Sequence, residues 1–139
     1  MAAIRSRPVA VVTGAASGIG AATVVALGRR GYQIVAGARR LARVRRVVGD
    51  LGVALSLDVT DPASIDAFVG EVSKKFGRID VLVNNAGIAL GLTEVAETRD
   101  EDWIEMWEVN GLGRMRRTRA GLPLISEAKA GHIANLGPI

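Results

Sequence analysis

The segment from Thr13 to Gly20 reads TGAASGIG and combines three glycines with two hydroxyl-bearing side chains. Glycine adopts backbone conformations that other residues resist, so Gly14 would let the chain turn and Gly18 would let main-chain N–H groups approach an anion. Ser17 can donate a hydrogen bond to a phosphate oxygen, and Gly20 would let a following helix pack closely. These residue types at this spacing predict a phosphate-binding turn; a glycine-rich turn without a ligand is the alternative.

Such a turn needs a strand before it and a helix after it, and the flanking sequence predicts both. VAVVT at 9–13 is a short β-branched run typical of a buried strand, and residues 18–30 have the apolar spacing of a helix. A helix that begins here would direct its free N–H groups and the positive end of its dipole toward an anion. The strand–turn–helix context therefore favours a phosphate site over a bare turn.

Strands and helices continue to alternate along the rest of the chain. Further strands are predicted at 32–37, 53–57, 80–84 and 132–136, and further helices at 39–49, 62–76, 101–109 and 111–129. This alternation predicts an α/β fold, a doubly wound, Rossmann-like parallel sheet with strand order 3-2-1-4-5 and helices on both faces. We expect a single domain over residues 1–139, truncated after strand five.

The composition argues against several classes of protein. The 139 residues are 49% hydrophobic and include no cysteine, so we expect neither a disulfide nor a thiolate metal site. His132 is the single histidine and has no second ligand at a suitable spacing, so we expect no metal. No stretch has the length of a membrane span and no secretory signal is evident, so we expect a cytoplasmic protein without a membrane partner.

The net charge of +4 is compatible with either a nucleic-acid partner or an anionic ligand. We expect no nucleic-acid partner, because neither aromatic platforms nor a recognised motif accompanies the arginines. The basic cluster at 114–119 is interpreted as a solvated or subunit-facing surface. Trp103 and Trp107, one helical turn apart, are interpreted as core residues rather than site residues.

Four further segments follow the glycine turn in a recognisable order: LDV at 57–59, NNAG at 84–87, WIEMWEVNGLG at 103–113 and GHIANL at 131–136. Together with TGxxxGIG, they resemble the signatures of the short-chain dehydrogenase/reductase (SDR) family, in its N-terminal, cofactor-binding portion. The match covers nearly the whole chain. The resemblance implies an NAD(P)-binding domain of an oxidoreductase that transfers hydride between a nicotinamide coenzyme and a carbonyl or alcohol.

The resemblance also implies which residues hold the coenzyme. The phosphate turn would comprise Thr13, Gly14, Ser17, Gly18, Ile19 and Gly20. Asp58 and Val59 would lie at the adenine, and Asn85, Ala86 and Gly87 would line the nicotinamide ribose. Strand two ends in Ala38 where the family's NAD enzymes have an acid, and Arg39 follows as a partner for a 2′-phosphate, so NADP is expected rather than NAD.

Each of these residues also has a purely structural interpretation. Arg39 could belong to a solvated basic helix face together with Arg43 and its neighbours, for which we prefer that interpretation. Asp58 could be a loop acid near a helix start. Asn85 could merely shape a turn, because asparagine tolerates left-handed backbone geometry.

Of the catalytic residues that the resemblance implies, the 139 residues retain only Asn110, which would hold a water in a proton relay. Pro138 stands where a serine is expected, and the Tyr-x-x-x-Lys motif would lie beyond residue 139. The chain is therefore predicted to be catalytically incomplete. A non-catalytic decoy subunit that pairs with full-length homologues is the alternative, as is an active enzyme whose remaining part is supplied elsewhere. Strand five, as an open edge, predicts self-association.

Overall fold

Strands and helices alternate along residues 6–137, which are the residues that the computed structural model describes. The strands are β1 (Val9–Thr13), β2 (Gln33–Ala38), β3 (Gly52–Ser56), β4 (Val81–Asn84) and β5 (His132–Asn135). The helices are α1 (Gly18–Arg29), α2 (Leu41–Val48), α3 (Pro62–Phe76), α4 (Asp100–Met106) and α5 (Gly113–Ser126). Short 3-10 turns cover Gly49–Leu51 and Val95–Glu97. The prediction that concerns Pro138 lies outside the described residues.

The strands form one parallel sheet in the order β3-β2-β1-β4-β5, which confirms the predicted order. Val11 of β1 lies opposite Val35 of β2 on one side and Leu82 of β4 on the other. Because the connections from β1 and from β4 leave toward opposite sides, a crevice opens at the carboxyl ends of these two strands. That crevice is where a doubly wound fold binds its ligand.

Alternate residues of the central strands face two separate hydrophobic layers, as the period of two requires. Val11 belongs to a cluster with Phe68 of α3 and Leu124 of α5. Val12, on the opposite face, belongs to a cluster with Val24 of α1. Helices on both faces bury these strands, which explains why they read as continuous apolar runs.

Helix α3 begins and ends where the sequence predicts. The carboxylate of Asp61 accepts a hydrogen bond from the Ala63 N–H at 3.0 Å, Pro62 occupies the first turn, and Gly77 ends the helix with φ +69°. The predicted apolar face is buried in the core or packs against it: Ile65, Phe68, Val69, Val72 and Phe76.

The two helices predicted at 101–109 and 111–129 are joined, and this corrects the sequence interpretation. A π-helical turn at Trp107–Leu112 connects α4 to α5 without a break. Within this turn Val109 is buried, whereas Trp103 and Trp107 are 56% and 63% exposed. The prediction that the two tryptophans are core residues is therefore wrong, because the helix turns its opposite face toward the sheet.

Helix α5 also corrects the interpretation of the basic cluster at 114–119. Arg117 is only 3% exposed and lies on a buried stripe that includes Gly113 and Gly121. Arg119, by contrast, is exposed as expected. A helix carries residues four apart on one face, so Arg117 enters the interior with the two glycines.

Strand β5 lies at one edge of the sheet and pairs with β4 alone among the described strands. All four of its residues are exposed, including Ile133 at 40%. Within the described residues, none of the helices is long and apolar enough to span a membrane.

Candidate functional site

A cleft of about 710 Å³ opens at the carboxyl ends of the central strands. Its size is within the range of small-molecule and cofactor sites, roughly 300–1,000 Å³. The sequence-predicted residues that line it are Gly14, Ser17, Ile19, Arg39, Asp58, Val59, Asn85, Ala86 and Gly87. The fold thus brings together at one crevice residues that are up to 73 positions apart in the chain.

The glycine turn has the backbone geometry that an anion site requires. Gly14 and Gly18 have φ values of +64° and +57°, in the left-handed region that favours glycine. Gly20 is packed so closely that a Cβ there would stand 2.2 Å from the Gly14 carbonyl oxygen. Among the described atoms, the Ser17 side chain makes no capping hydrogen bond to α1, so the first N–H groups of that helix remain available to an anion.

Hydrogen bonds tie the glycine turn to the segment that follows β4. The Thr13 hydroxyl accepts hydrogen bonds from the N–H groups of Asn85 at 3.2 Å and Ala86 at 3.1 Å. The Asn85 amide donates to the carbonyl oxygens of Thr13 at 3.2 Å and Gly14 at 3.1 Å. Thr13 is itself buried, so it positions the two cleft walls rather than facing the cleft.

Asn110 holds the same segment from the other side. Its side-chain oxygen accepts a hydrogen bond from the Ile88 N–H at 2.9 Å, and its side-chain nitrogen donates to the Ile88 carbonyl at 2.7 Å. Asn110 lies in the π-helical turn, a rare feature that is frequent at functional sites. Both ends of the amide are thus used to fix the backbone beside Gly87.

The other end of the cleft carries Arg39 and Asp58. The carboxylate of Asp58 accepts hydrogen bonds from the Thr60 hydroxyl at 2.7 Å and the Thr60 N–H at 2.9 Å. These bonds, the hydroxyl first, hold the pKa of Asp58 below its ordinary value, and the positive charge of Arg39 adds to the effect. Arg39 and Arg40 are exposed and line the cleft, so both present donors to a ligand.

Two carboxylates, those of Glu105 and Glu108, also line the cleft. Glu108 forms an ion pair of 3.1 Å with Arg116, which offsets its charge, and Glu105 lies one helical turn before it. The sequence interpretation missed both residues. Glu105, Glu108 and Val109 are three and four residues apart, so they lie next to one another on one helix face. This spacing can be read from the sequence.

Four predicted residues are not among those that line the cleft, namely Thr13, Gly18, Gly20 and Asn110. Thr13 and Gly20 are buried beside it, whereas Gly18 is exposed. Arg40, which the sequence suggested could assist Arg39, also lines the cleft. The lining residues to which the sequence interpretation gave no site role are Ala16, Ala38, Thr60, Ile88, Glu105, Glu108 and Val109. Arg40 and Ala38 were adjacent to the predicted Arg39. Ala16, Thr60 and Ile88 likewise adjoin predicted residues. For Glu105, Glu108 and Val109, the spacing indicates a shared helix face but not that this face meets the strand ends.

The residues present fit a dinucleotide phosphate. The helix N-terminus offers main-chain N–H groups without a side-chain cap, and the close Gly14–Gly20 approach leaves backbone rather than side chains at the cleft floor. Arg39 supplies a cation where strand β2 ends in a small, uncharged residue. No cluster of metal-ligating side chains occurs in the part of the chain that the structure describes.

Comparison with known proteins gives the family. The family model for short chain dehydrogenases matches residues 8–138. An uncharacterised oxidoreductase of Staphylococcus saprophyticus is 39% identical over 135 residues, covering 94% of this chain and 54% of the relative. An NADP-dependent 3-hydroxy acid dehydrogenase of Escherichia coli K12 is 36% identical over 132 residues, covering 93% of this chain and 53% of the relative.

Solved structures agree with these relatives. The alcohol dehydrogenase of the archaeon Thermococcus sibiricus, complexed with 5-hydroxy-NADP, superposes with a TM-score of 0.85 at 34% identity, covering 92% of this chain and 57% of that one. A metagenomic short-chain oxidoreductase in complex with NADP gives a TM-score of 0.87 at 34% identity, covering 95% and 62%. The chain spans about half the length of the curated relatives it matches. Through its sheet order, its glycine turn and a family match over nearly its whole length, the chain belongs to the short-chain dehydrogenase family.

Proposed function

We propose that this chain binds NADP(H) in the cleft and forms the coenzyme-binding part of an oxidoreductase that interconverts carbonyls and alcohols. The observation that carries the proposal is the joint position of the uncapped N-terminus of α1 and Arg39 on one cleft. The first is suited to a diphosphate and the second to an additional phosphate on the adenosine ribose. When bound, the nicotinamide coenzyme supplies the hydride.

The chain's own residues would bind and orient the coenzyme. The amides after Gly14 would hold the diphosphate, and Asp58 would accept hydrogen bonds at the adenine. Arg39 would contact the 2′-phosphate, where Ala38 leaves no carboxylate to repel it. Gly87 and its neighbours, held in place by Asn110, would line the nicotinamide ribose.

The relatives support NADP as the coenzyme. Two of the similar solved structures hold NADP or 5-hydroxy-NADP, and several similar enzymes are NADP-dependent. Arg39 is the residue of this chain that accounts for such a preference physically, since a guanidinium presents several donors in a rigid plane that matches a phosphate.

The second half of the proposal concerns the proton. The sequence has one tyrosine, Tyr32, which directly precedes β2 and has no lysine four residues later. Asn110 is the one implied catalytic residue present, and its side chain is occupied by Ile88. A polypeptide of residues 1–139 is therefore expected to bind coenzyme without turning over ketones or alcohols, because general acid–base catalysis contributes about 10²–10⁴-fold in rate.

The test is a fluorescence titration of wild type, Arg39→Ala and Arg43→Ala with NADPH and with NADH. Charge-assisted hydrogen bonds contribute about 1.5–3 kcal/mol, so Arg39→Ala should weaken NADPH roughly 10- to 150-fold and change NADH less than about twofold. Arg43→Ala removes an equal charge from an exposed position on α2 outside the cleft and should change neither. Equal weakening of both coenzymes by Arg39→Ala would contradict the assigned role, and no saturable binding by wild type would contradict the function.

A second candidate function is pairing with another chain, either a copy of itself or a full-length homologue as a decoy subunit. The observation in its favour is that, among the described strands, β5 pairs with β4 alone, so its other side can extend a sheet. Sedimentation of the chain at micromolar concentration should show species larger than a monomer. A single monomeric boundary across a hundredfold concentration range would exclude self-pairing, and the same result with an equimolar full-length homologue added would exclude the decoy role.

A further inference from the structure

Arg117 is a buried cation beneath the cleft that the coenzyme proposal does not use. Its side chain is 3% exposed. Nε donates to the Asn84 side-chain oxygen at 3.2 Å, and Nη2 donates to the Ala86 carbonyl at 3.5 Å. Nη1 is also buried, and it has no hydrogen-bond partner among the described residues. Arginine is almost never fully buried without a charged partner, so this position requires an explanation.

No carboxylate forms an ion pair with Arg117 in the described part of the chain. The ion pairs there join Arg78 to Asp80, Arg99 to Asp102 and Arg116 to Glu108. A second cation, Arg114, lies one turn earlier on α5 and repels the charge of Arg117. Burial, and then the charge of Arg114, lower the pKa of Arg117 to about 10, so the guanidinium is still positive at neutral pH.

The guanidinium lies directly behind the cleft wall. Ala86, whose carbonyl it contacts, lines the cleft. On its other side, a Cβ built on Gly113 would stand 3.4 Å from Nη1 and 2.8 Å from the carbonyl oxygen of Val59, which also lines the cleft. The charge therefore acts on the cleft through a thin layer of protein, where screening by solvent is weak.

This inference rests on the proposed NADP(H) function, which determines which half of the coenzyme lies nearest to the charge of Arg117. The adenosine half is assigned to the end with Arg39 and Asp58, and the diphosphate to the glycine turn between the two ends. The nicotinamide half then lies at the end formed by Ala86 and Gly87. The nicotinamide ring is positively charged in NADP⁺ and neutral in NADPH, so a fixed cation behind this end repels only the oxidised form.

We propose that the buried, unpaired guanidinium of Arg117 makes this cleft select the reduced coenzyme, NADPH, over the oxidised coenzyme, NADP⁺. The two coenzymes carry the same phosphates, so the ratio of their dissociation constants isolates the effect of the ring charge. The repulsion between two unit charges roughly 10 Å apart, at an effective dielectric constant of about 20, changes a binding constant on the order of tenfold. Water in the open cleft screens the charges and makes the effect smaller. We expect the charge of Arg117 to contribute about three- to tenfold to the ratio.

The experiment measures both dissociation constants by calorimetry for wild type, Arg117→Met and Arg119→Met. Methionine has a length similar to that of arginine and carries no charge, so it keeps the site filled. Arg119 is exposed on the same helix and serves as the matched control for loss of one charge. Wild type should bind NADPH at least about threefold more tightly than NADP⁺, Arg117→Met should lower this preference by about three- to tenfold, and Arg119→Met should leave it within about 1.5-fold.

Arg117→Gln is a second variant in case Arg117→Met does not fold, which circular dichroism would reveal. It also removes the charge and keeps a polar donor near the Asn84 side-chain oxygen, and it should lower the preference by about three- to tenfold. A wild-type preference of one or less overturns the proposal, as does an unchanged ratio in a folded Arg117→Met or Arg117→Gln protein. Failure of the coenzyme proposal is a separate result, because then neither coenzyme binds to wild type.

Discussion

Replacing Gly20 by alanine should destabilise the protein, because α1 packs too closely against the glycine turn to accept a side chain at this position. The added Cβ would stand 2.2 Å from the Gly14 carbonyl oxygen and 2.5 Å from the Asn85 side-chain nitrogen. The first of these atoms belongs to the backbone of a turn that is itself hydrogen-bonded by Asn85. Relief therefore requires that the turn move away from α1 or that Asn85 lose its hydrogen bonds.

The magnitude follows from two opposing effects. Overpacking costs typically 1–3 kcal/mol, and the upper end of that range, about 3, applies because the obstacle is main chain. Alanine regains about 1 kcal/mol over glycine through its helix propensity. The net loss in the free energy of unfolding is about 2 kcal/mol, which lowers Tm by roughly 6–10 °C for a chain of this size.

Gly70→Ala is the matched control because nothing lies within 4 Å of its Cβ position in the middle of α3. The same substitution should stabilise there, by about 0.5–1 kcal/mol. Thermal and urea unfolding followed by circular dichroism measure both variants. If Gly20→Ala unfolds at or above the wild-type temperature, the tight approach of α1 to the turn is not a constraint on this sequence and the argument for that glycine fails.

Two further predictions concern the walls of the cleft. Asn110→Ala removes both hydrogen bonds to the Ile88 backbone, so stability should fall by about 1–3 kcal/mol and amide exchange at Ile88 should accelerate. Exchange at Val83, in the buried β4, should accelerate by no more than the loss of global stability. Unaltered exchange at Ile88 would show that Asn110 does not hold this segment. The lowered pKa of Asp58 contributes stability that is present above its ordinary value of 3.8 and is lost as the pH falls through the lower value of the folded state. Thr60→Val removes the hydroxyl donor and should raise the pKa of the Asp58 carboxyl in an NMR titration. Thr98→Val, beside an exposed 3-10 turn, is the control and should leave that pKa unchanged. If the pKa of Asp58 does not shift in Thr60→Val, the Thr60 hydroxyl is not the cause of the lowered value.

The elements whose patterns are local could be predicted from the sequence. The β-branched run of β1 marks a buried strand, and Asp61, Pro62 and Gly77 mark the ends of α3. The sheet order followed from the alternation of strands and helices, because right-handed crossovers leave few topologies. Most of the predicted coenzyme residues line one cleft because the carboxyl ends of parallel strands meet at one edge.

The region from α4 to α5 could not be predicted in the same way. The π-helical turn at 107–112 changes the rotation of the helix by the insertion of residues into one turn, and no local pattern encodes it. Across this turn, Trp103 and Trp107 face outward and Arg117 faces inward. Composition alone favoured the opposite assignment, since tryptophan is usually buried and arginine is usually exposed.

The sequence by itself determined the fold class and the glycine turn between β1 and α1, because both depend on residue types at fixed short spacings along the chain. Tertiary structure alone decided which charges surround the cleft. Arg39 and Glu108 reach it from elements far apart in sequence, and Arg117 stands behind it without a counter-charge. The physical reason is that burial and electrostatic partners depend on how elements rotate and pack against one another, and a local pattern does not fix that rotation.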